Sequence, residues 1–279
     1  MITVHVAKSA GFCFGVRDAI ELALDTAQRG EGPVHMLGHI VHNEHVVRSI
    51  HEAGVKVVDK IQDIDAGILL IRAHGAVPGV YEEARKQGLQ VVDATCPLVL
   101  DIHEHVRQLE KEGYRVVIIG DHGHDEVVGI AGQVKEATVL AKPEEVDTQM
   151  GRMKKIGVVS QSTQNIENVQ AIVGKLVGKC QELKFINTIC GPTMVHQNEI
   201  RTLPLENDVM IIVGSFTSAN TKRLTAISKS LNPRTYQVES AADLDPAWFE
   251  GAQTVGVSAG ASTPDHIIQG VVEKIKTLG

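Results

Sequence analysis

Residues 89–113 read LQVVDATCPLVLDIHEHVRQLEKEG. An apolar, β-branched run comes first, then Cys96, then Pro97 and an amphipathic stretch ending in glycine. This predicts a strand, a thiol at the junction, and a helix opened by proline, whose missing N–H and preset φ suit a first turn. The same succession occurs twice more. ITVHVA (2–7) leads to Cys13 and GVRDAIELALDTAQRG, and LKFINTI (183–189) leads to Cys190 and GPTMVHQNEIRTL. The three cysteines recur at periods between about 80 and 95 residues, so the chain reads as one pattern used three times.

The segments between them repeat as well. After each cysteine helix comes an apolar run ending in a polar loop: MLGHIVHNEHV (36–46), IIGDHGHDEVVG (118–129) and IVGSFTSANTKR (212–223). A second such run follows in LLIRAHGAVP (69–78), GVVSQSTQN (157–165) and GVSAGASTP (256–264). Uninterrupted runs such as ILLIRA (68–73), RVVIIG (115–120), KIGVVS (155–160) and DVMIIVG (208–214) suit strands covered on both faces. Their alternation with helical stretches predicts an α/β fold of largely parallel sheets. The expected architecture is three pseudo-threefold-related α/β units around a central cavity: 14–96, 97–190 and 191–279. The last lacks a cysteine-bearing strand, so residues 1–13 are expected to complete its sheet.

Composition excludes several classes. The 279 residues are 43% hydrophobic and carry a net charge of −7, which argues against generic binding to nucleic acid or membrane. No apolar run reaches the ~18 residues of a membrane span, and the N-terminus does not read as a signal peptide. Four scattered cysteines do not make a disulfide framework, so a reducing cytoplasm is expected.

In open α/β sheets, ligands bind beyond the carboxyl ends of the strands. Threefold repetition would therefore bring the polar loops and the three cysteines to one centre. Thiols at helix N-termini have their thiolate form favoured. Three thiolates without a fourth equivalent ligand suit a zinc with one open position or an iron–sulfur cluster with one iron lacking a protein ligand. Cys180 has no counterpart and reads as a structural thiol. Of the 13 histidines, His42, His74 and His124 occupy equivalent loops and would offer cationic donors to an anion. The third segment supplies Ser218, Asn220 and Ser262 instead, residue types that cap helices and also bind phosphate there. Together these groups suit a diphosphate. Glu126, two residues after His124, is placed to donate protons, with Ser162 and Thr163 positioned to relay one or hold a substrate hydroxyl.

GFCFGV, VHNEHV, AHG, DATCPLV, GHDEVVG, SQSTQ, TSANTKRL and SAGASTPD, in this order, resemble the 4-hydroxy-3-methylbut-2-enyl diphosphate reductase (LytB/IspH) family over nearly the whole chain. The resemblance implies a three-unit α/β trefoil and a [4Fe–4S] cluster on Cys13, Cys96 and Cys190 with one open iron. It implies an allylic diphosphate substrate held by His42, His74, His124, Ser218, Asn220 and Ser262, with Glu126 as proton donor. The family threonine near the substrate hydroxyl corresponds to Ser162, with Thr163 adjacent. It also implies a low-potential electron donor such as ferredoxin or flavodoxin. The thiols alone would equally serve an iron-dependent lyase, a cluster-based sensor or a zinc hydrolase. The histidine, hydroxyl and glutamate groups argue against the sensor.

Overall fold

Runs of Ile, Val and Leu become the central strands of three sheets in the computed structural model, which describes residues 2–278. Along the chain come β1 (Thr3–Val6), α1 (Phe14–Arg29), β2 (Val34–Leu37), α2 (Glu44–Glu52) and β3 (Lys56–Val58). Next are β4 (Ile68–Ile71), α3 (Pro78–Lys86), β5 (Gln90–Asp93) and α4 (Pro97–Lys111). They are followed by β6 (Arg115–Ile119), α5 (Asp125–Ala131), β7 (Ala137–Leu140) and α6 (Glu145–Gln149). Then come β8 (Met153–Ser160), α7 (Ile166–Leu176), β9 (Cys180–Phe185) and α8 (Gly191–Glu199). The chain closes with β10 (Val209–Val213), α9 (Ala219–Leu231), β11 (Thr235–Val238), β12 (Thr254–Ala259) and α10 (Asp265–Lys276).

The three four-stranded sheets have the orders β3-β2-β4-β5, β7-β6-β8-β9 and β11-β10-β12-β1. Every described pairing is parallel. One order is therefore used three times: the second strand at one edge, then the first, the third and the fourth. In the last sheet the fourth place is taken by the N-terminal strand, with Thr3–Val6 in register against Thr254–Val257. Among the described residues no helix is long and apolar enough to cross a membrane.

Contacts divide the chain into two compact units. One comprises Met1–Arg17, His42–Arg48 and Gly191–Gly279, and the other Asp18–Val41 and Ser49–Cys190. The first contains the sheet centred on β10 and β12, where Ile211 and Val213 pack with Val257, Val271 and Ile275 on one face. On the other face Met210 and Ile212 pack with Ile200 and Leu224. The second unit contains the other two sheets. Around β6, Val117 and Ile119 meet Val158, Val169 and Ile172, while Val116 and Ile118 meet Ile102, Val106 and Leu109. Because both faces are covered, these strands are largely apolar and lose the alternation of a half-exposed strand.

Helix α4 shows how one cysteine segment folds locally. Cys96 is its N-cap and Pro97 its first residue, while Val99, Ile102, Val106 and Leu109 form the buried stripe. That spacing gives one apolar face at 3.6 residues per turn. The short strands β3, β7 and β11 are the elements the sequence pattern does not name. They hold three or four residues each, lie at sheet edges and are mostly only partly buried. Truncating Ile118, fully buried in β6, to Ala is expected to cost about 2–5 kcal/mol, read as a lowered midpoint of urea unfolding.

Candidate active site

In each sheet the order reverses between the first and third strands, the point at which ligands bind beyond the strand ends in open α/β sheets. The loops leaving those strands are the ones singled out in the sequence. They carry His42 and His74 after β2 and β4, His124 with Glu126 and Ser162 with Thr163 after β6 and β8, and Ser218 with Asn220 and Ser262 after β10 and β12. The cysteines follow the fourth, edge strand of each sheet.

Each cysteine is fastened to its neighbouring loop in the same way. The backbone N–H of Cys96 donates to Ala73 O at 3.0 Å, that of Cys190 to Ser162 O at 2.9 Å, and that of Cys13 to Ala261 O at 3.2 Å. All three acceptors lie just after a third strand, beside or within the loops of His74, Ser162 and Ser262. A helix begins at the residue after each thiol: α4 at Pro97, α8 at Gly191 and α1 at Phe14. The three thiols are half-buried and none is in a disulfide. Cys180 stands apart at the start of β9, where burial pushes its thiol pKa up and its Sγ meets Leu176 O at 3.5 Å.

Within the second unit Glu126, Ser162, His124 and His74 lie close to one another. Glu126, buried in the first turn of α5, accepts from Ser162 N at 2.6 Å on one carboxylate oxygen and from Ser162 Oγ at 2.7 Å on the other. Ser162 thus clamps the carboxyl with its N–H and hydroxyl while its carbonyl holds Cys190. The hydroxyl of Thr163 accepts from Gln161 Nε2 at 3.1 Å. His124 caps α5, its Nδ1 accepting from Glu126 N at 3.2 Å. An accepting Nδ1 leaves the proton of the neutral ring on Nε2, which is then a donor. The His74 and His124 rings lie edge to face, with centroids 5.5 Å apart.

Within the first unit, Ser218 caps α9 by accepting from Thr221 N at 3.3 Å, and Ser262 Oγ donates to His42 O at 3.4 Å. The loops after β10 and β12 are tied by Gly260 N to Val213 O at 2.9 Å and Thr263 Oγ1 to the same carbonyl at 3.1 Å. Asn220 is buried, and neither polar atom of its carboxamide finds a hydrogen-bond partner among the described residues. A buried amide left in this way is costly, which points to a polar ligand at this loop.

The LytB protein family model matches residues 4–276. The chain belongs to the LytB protein family. A 4-hydroxy-3-methylbut-2-enyl diphosphate reductase of Geobacter metallireducens is 43% identical to it over 275 residues, covering 99% of this chain and 97% of the relative. One of Aquifex aeolicus is 42% identical over 282 residues, covering 100% and 97%. A solved structure of (E)-4-hydroxy-3-methyl-but-2-enyl diphosphate reductase, described as the terminal enzyme of the non-mevalonate pathway, is 42% identical, with a TM-score of 0.72 over 99% of this chain and 100% of its own. The Plasmodium falciparum reductase structure is 29% identical, with a TM-score of 0.93 over 98% and 87%. Membership of the LytB family implies a metal cofactor.

In this LytB-family chain, residues the sequence reading passed over hold the site loops. Thr188 Oγ1 receives Ser160 N at 2.7 Å and donates to Ser160 O at 2.6 Å, which fixes the strand end before Ser162. Gln161 Oε1 accepts Asp121 N at 2.9 Å and links the two loops of that sheet. Glu199 accepts Lys8 N at 2.6 Å and both Ser9 N and Ser9 Oγ, anchoring the segment before Cys13. Such partners are distant in sequence, so no local pattern announces them. His103 lies under the His74 loop. A Cβ on Gly75, which has φ +76°, would sit 2.9 Å from its Cε1.

Burial, with the nearby Arg107 charge, holds the His103 pKa down at about 4. Burial also lowers His35 and His196. An unfolded chain takes up protons on these rings below about pH 6.5, while the folded chain does not. The contribution of these rings to stability is therefore complete above that pH and is lost as pH falls, for His103 from about 6.5 toward 4. Thermal midpoints measured across this range should fall on acidification, and fall less steeply in His103→Leu.

Proposed function

We propose that this protein is a 4-hydroxy-3-methylbut-2-enyl diphosphate reductase, catalysing the last step of the non-mevalonate isoprenoid pathway. It removes the allylic hydroxyl with two electrons and two protons, releasing water and leaving isopentenyl or dimethylallyl diphosphate. The observation that carries this reading is the Ser162 clamp, which ties a buried carboxyl, Glu126, to the loop bearing a thiol, Cys190. Family membership supplies the substrate. We take the chain as three related α/β units, 14–96, 97–190 and 191–279, the last completed by 1–13.

Cys13, Cys96 and Cys190 would hold a [4Fe–4S] cluster with one iron left open to substrate. The donor set fits such a group. The three half-buried thiols stand in equivalent places, each directly before a helix whose N-terminal N–H groups favour the thiolate. When bound, the cluster supplies the electrons that break the allylic carbon–oxygen bond. A cytoplasmic low-potential donor of the ferredoxin or flavodoxin kind replenishes them.

The remaining chemistry belongs to side chains of this chain. His42, His74 and His124 donate to the diphosphate through ring N–H groups, and Ser218, Asn220 and Ser262 complete the grip with hydroxyls and an amide. The accepting role of His124 Nδ1 toward Glu126 N leaves its Nε2–H for the anion. Glu126 is the group that holds and delivers a proton, and Ser162 keeps its carboxyl oriented by donating to both oxygens. Ser162 or the adjacent Thr163 holds the substrate hydroxyl; Ser162 Oγ donates to Glu126 at 2.7 Å, while Thr163 Oγ1 accepts from Gln161 Nε2.

Anaerobically purified protein, supplied with a low-potential reductant and the hydroxylated diphosphate, should release both products. Glu126→Gln should lower turnover about 10²–10⁴-fold while retaining substrate binding, and unchanged turnover would remove the proton-donor role. Iron analysis and the visible spectrum of the purified protein check the cluster. Cys96→Ser should lose iron and colour together, whereas stoichiometric zinc in the parent would refute an iron–sulfur centre.

A further inference from the structure

We infer that Arg72 and Asp125 form a positioning pair that sets the orientation of the loop carrying His124 and Glu126, an inference resting on the roles proposed above for those two residues. Arg72 leaves the end of β4 two residues before His74, and its Nη1 lies 2.6 Å from Asp125 Oδ2. Asp125 stands between His124 and Glu126 in the chain, so the ion pair grips the short segment that presents both. Neither side chain is more than 30% exposed, which shields the pair from the screening that makes open surface pairs weak.

The guanidinium reaches this place across a glycine. Gly38 follows β2 with φ +72°, and a Cβ there would fall 2.4 Å from Arg72 Nη1. At this end of α5, Val127 packs into the core with Ile102, Val106 and Ile118. Arg72 and Asp125 border a cavity of about 170 Å³ that lies between Val128 and Gly129 of α5, Leu37 and Ile71 of β2 and β4, and Val80 of α3. The far end of α5 is held differently. A Cβ on Gly132 would meet Val77 Cγ1 at 2.3 Å, and Gln133 Nε2 donates to Ala76 O at 3.1 Å. The ion pair thus adds a charged restraint, on the residue between His124 and Glu126, to the core packing of Val127.

This role differs from direct contact with the diphosphate, which a cation so near His74 would otherwise suggest. A direct contact predicts that removing Arg72 weakens binding while removing the Asp125 charge leaves it unchanged or tighter. A positioning pair predicts that either loss misplaces the same loop, so the two losses do not multiply.

Arg72→Met, Asp125→Asn, their double variant and Arg72→Lys should be assayed as cluster-loaded enzyme beside Glu126→Gln, with iron content and thermal midpoint recorded for each. Each of Arg72→Met and Asp125→Asn should lower kcat about tenfold with KM changed less than about threefold. The double variant should be no worse than the poorer single one. Arg72→Lys should recover part of the loss, since an ammonium keeps the charge without the planar fork. A raised KM confined to Arg72→Met, or losses that multiply in the double variant, would overturn the inference. If Arg72→Met fails to fold, Asp125→Asn with Arg72→Lys decides the question by the same split. Should Glu126→Gln keep full turnover, the proton-donor reading fails. An inactive Glu126→Gln beside independent Arg72 and Asp125 effects overturns the pair alone.

Discussion

Three backbone hydrogen bonds of one kind carry the arrangement on which the rest depends. Each links the N–H of a cysteine after an edge strand to a carbonyl just after the central third strand of the same sheet, at Ala73, Ser162 and Ala261. An N–H and a carbonyl in a partly buried loop must be paired or their desolvation is uncompensated. Here the pairing also sets each thiol beside the loop bearing His74, Ser162 or Ser262. A helix starts at the residue after each thiol, so the chain direction, the thiol position and the helix N-terminus are settled by the same few atoms.

The sheets make this repetition possible. Parallel strands require crossovers, and with helices on both faces the central strands can be apolar throughout. Polar chemistry is then displaced to the strand ends, and the 2-1-3-4 order places two loops at the reversal point of every sheet. Glu126 illustrates the outcome. A carboxyl this deeply buried is tolerable because Ser162 supplies two donors to it, and the same two bonds keep it aimed. Asn220 shows the reverse case, a buried amide whose own fold gives it no partner among the described residues.

Much of this was legible in the chain. The runs ILLI, VVII and VMIIV are strands because nothing in them tolerates water, and Pro97 after Cys96 marks a helix start. The candidate residues at strand ends were legible because a threefold repeat exposes equivalent positions. The edge strands β3, β7 and β11 were not, since three or four partly exposed residues leave little pattern against the background of loops. The choice between Ser162 and Thr163 was not legible either. Adjacent hydroxyls are equivalent in a string of letters, and only the fold shows that Ser162 Oγ donates to Glu126 while Thr163 Oγ1 accepts from Gln161.

The sequence by itself determined the repeated α/β pattern, the three matching thiols and the residue types that gather at the strand ends. Those properties follow from local spacing and from burial, which act along the chain. Tertiary structure alone decided the partners: Ser162 with Glu126, Glu199 with Ser9, Arg72 with Asp125. These contacts join residues far apart in sequence, and their geometry depends on ångström-scale placement of separate elements. A glycine at position 38 makes room for a guanidinium only once β2 and β4 lie side by side.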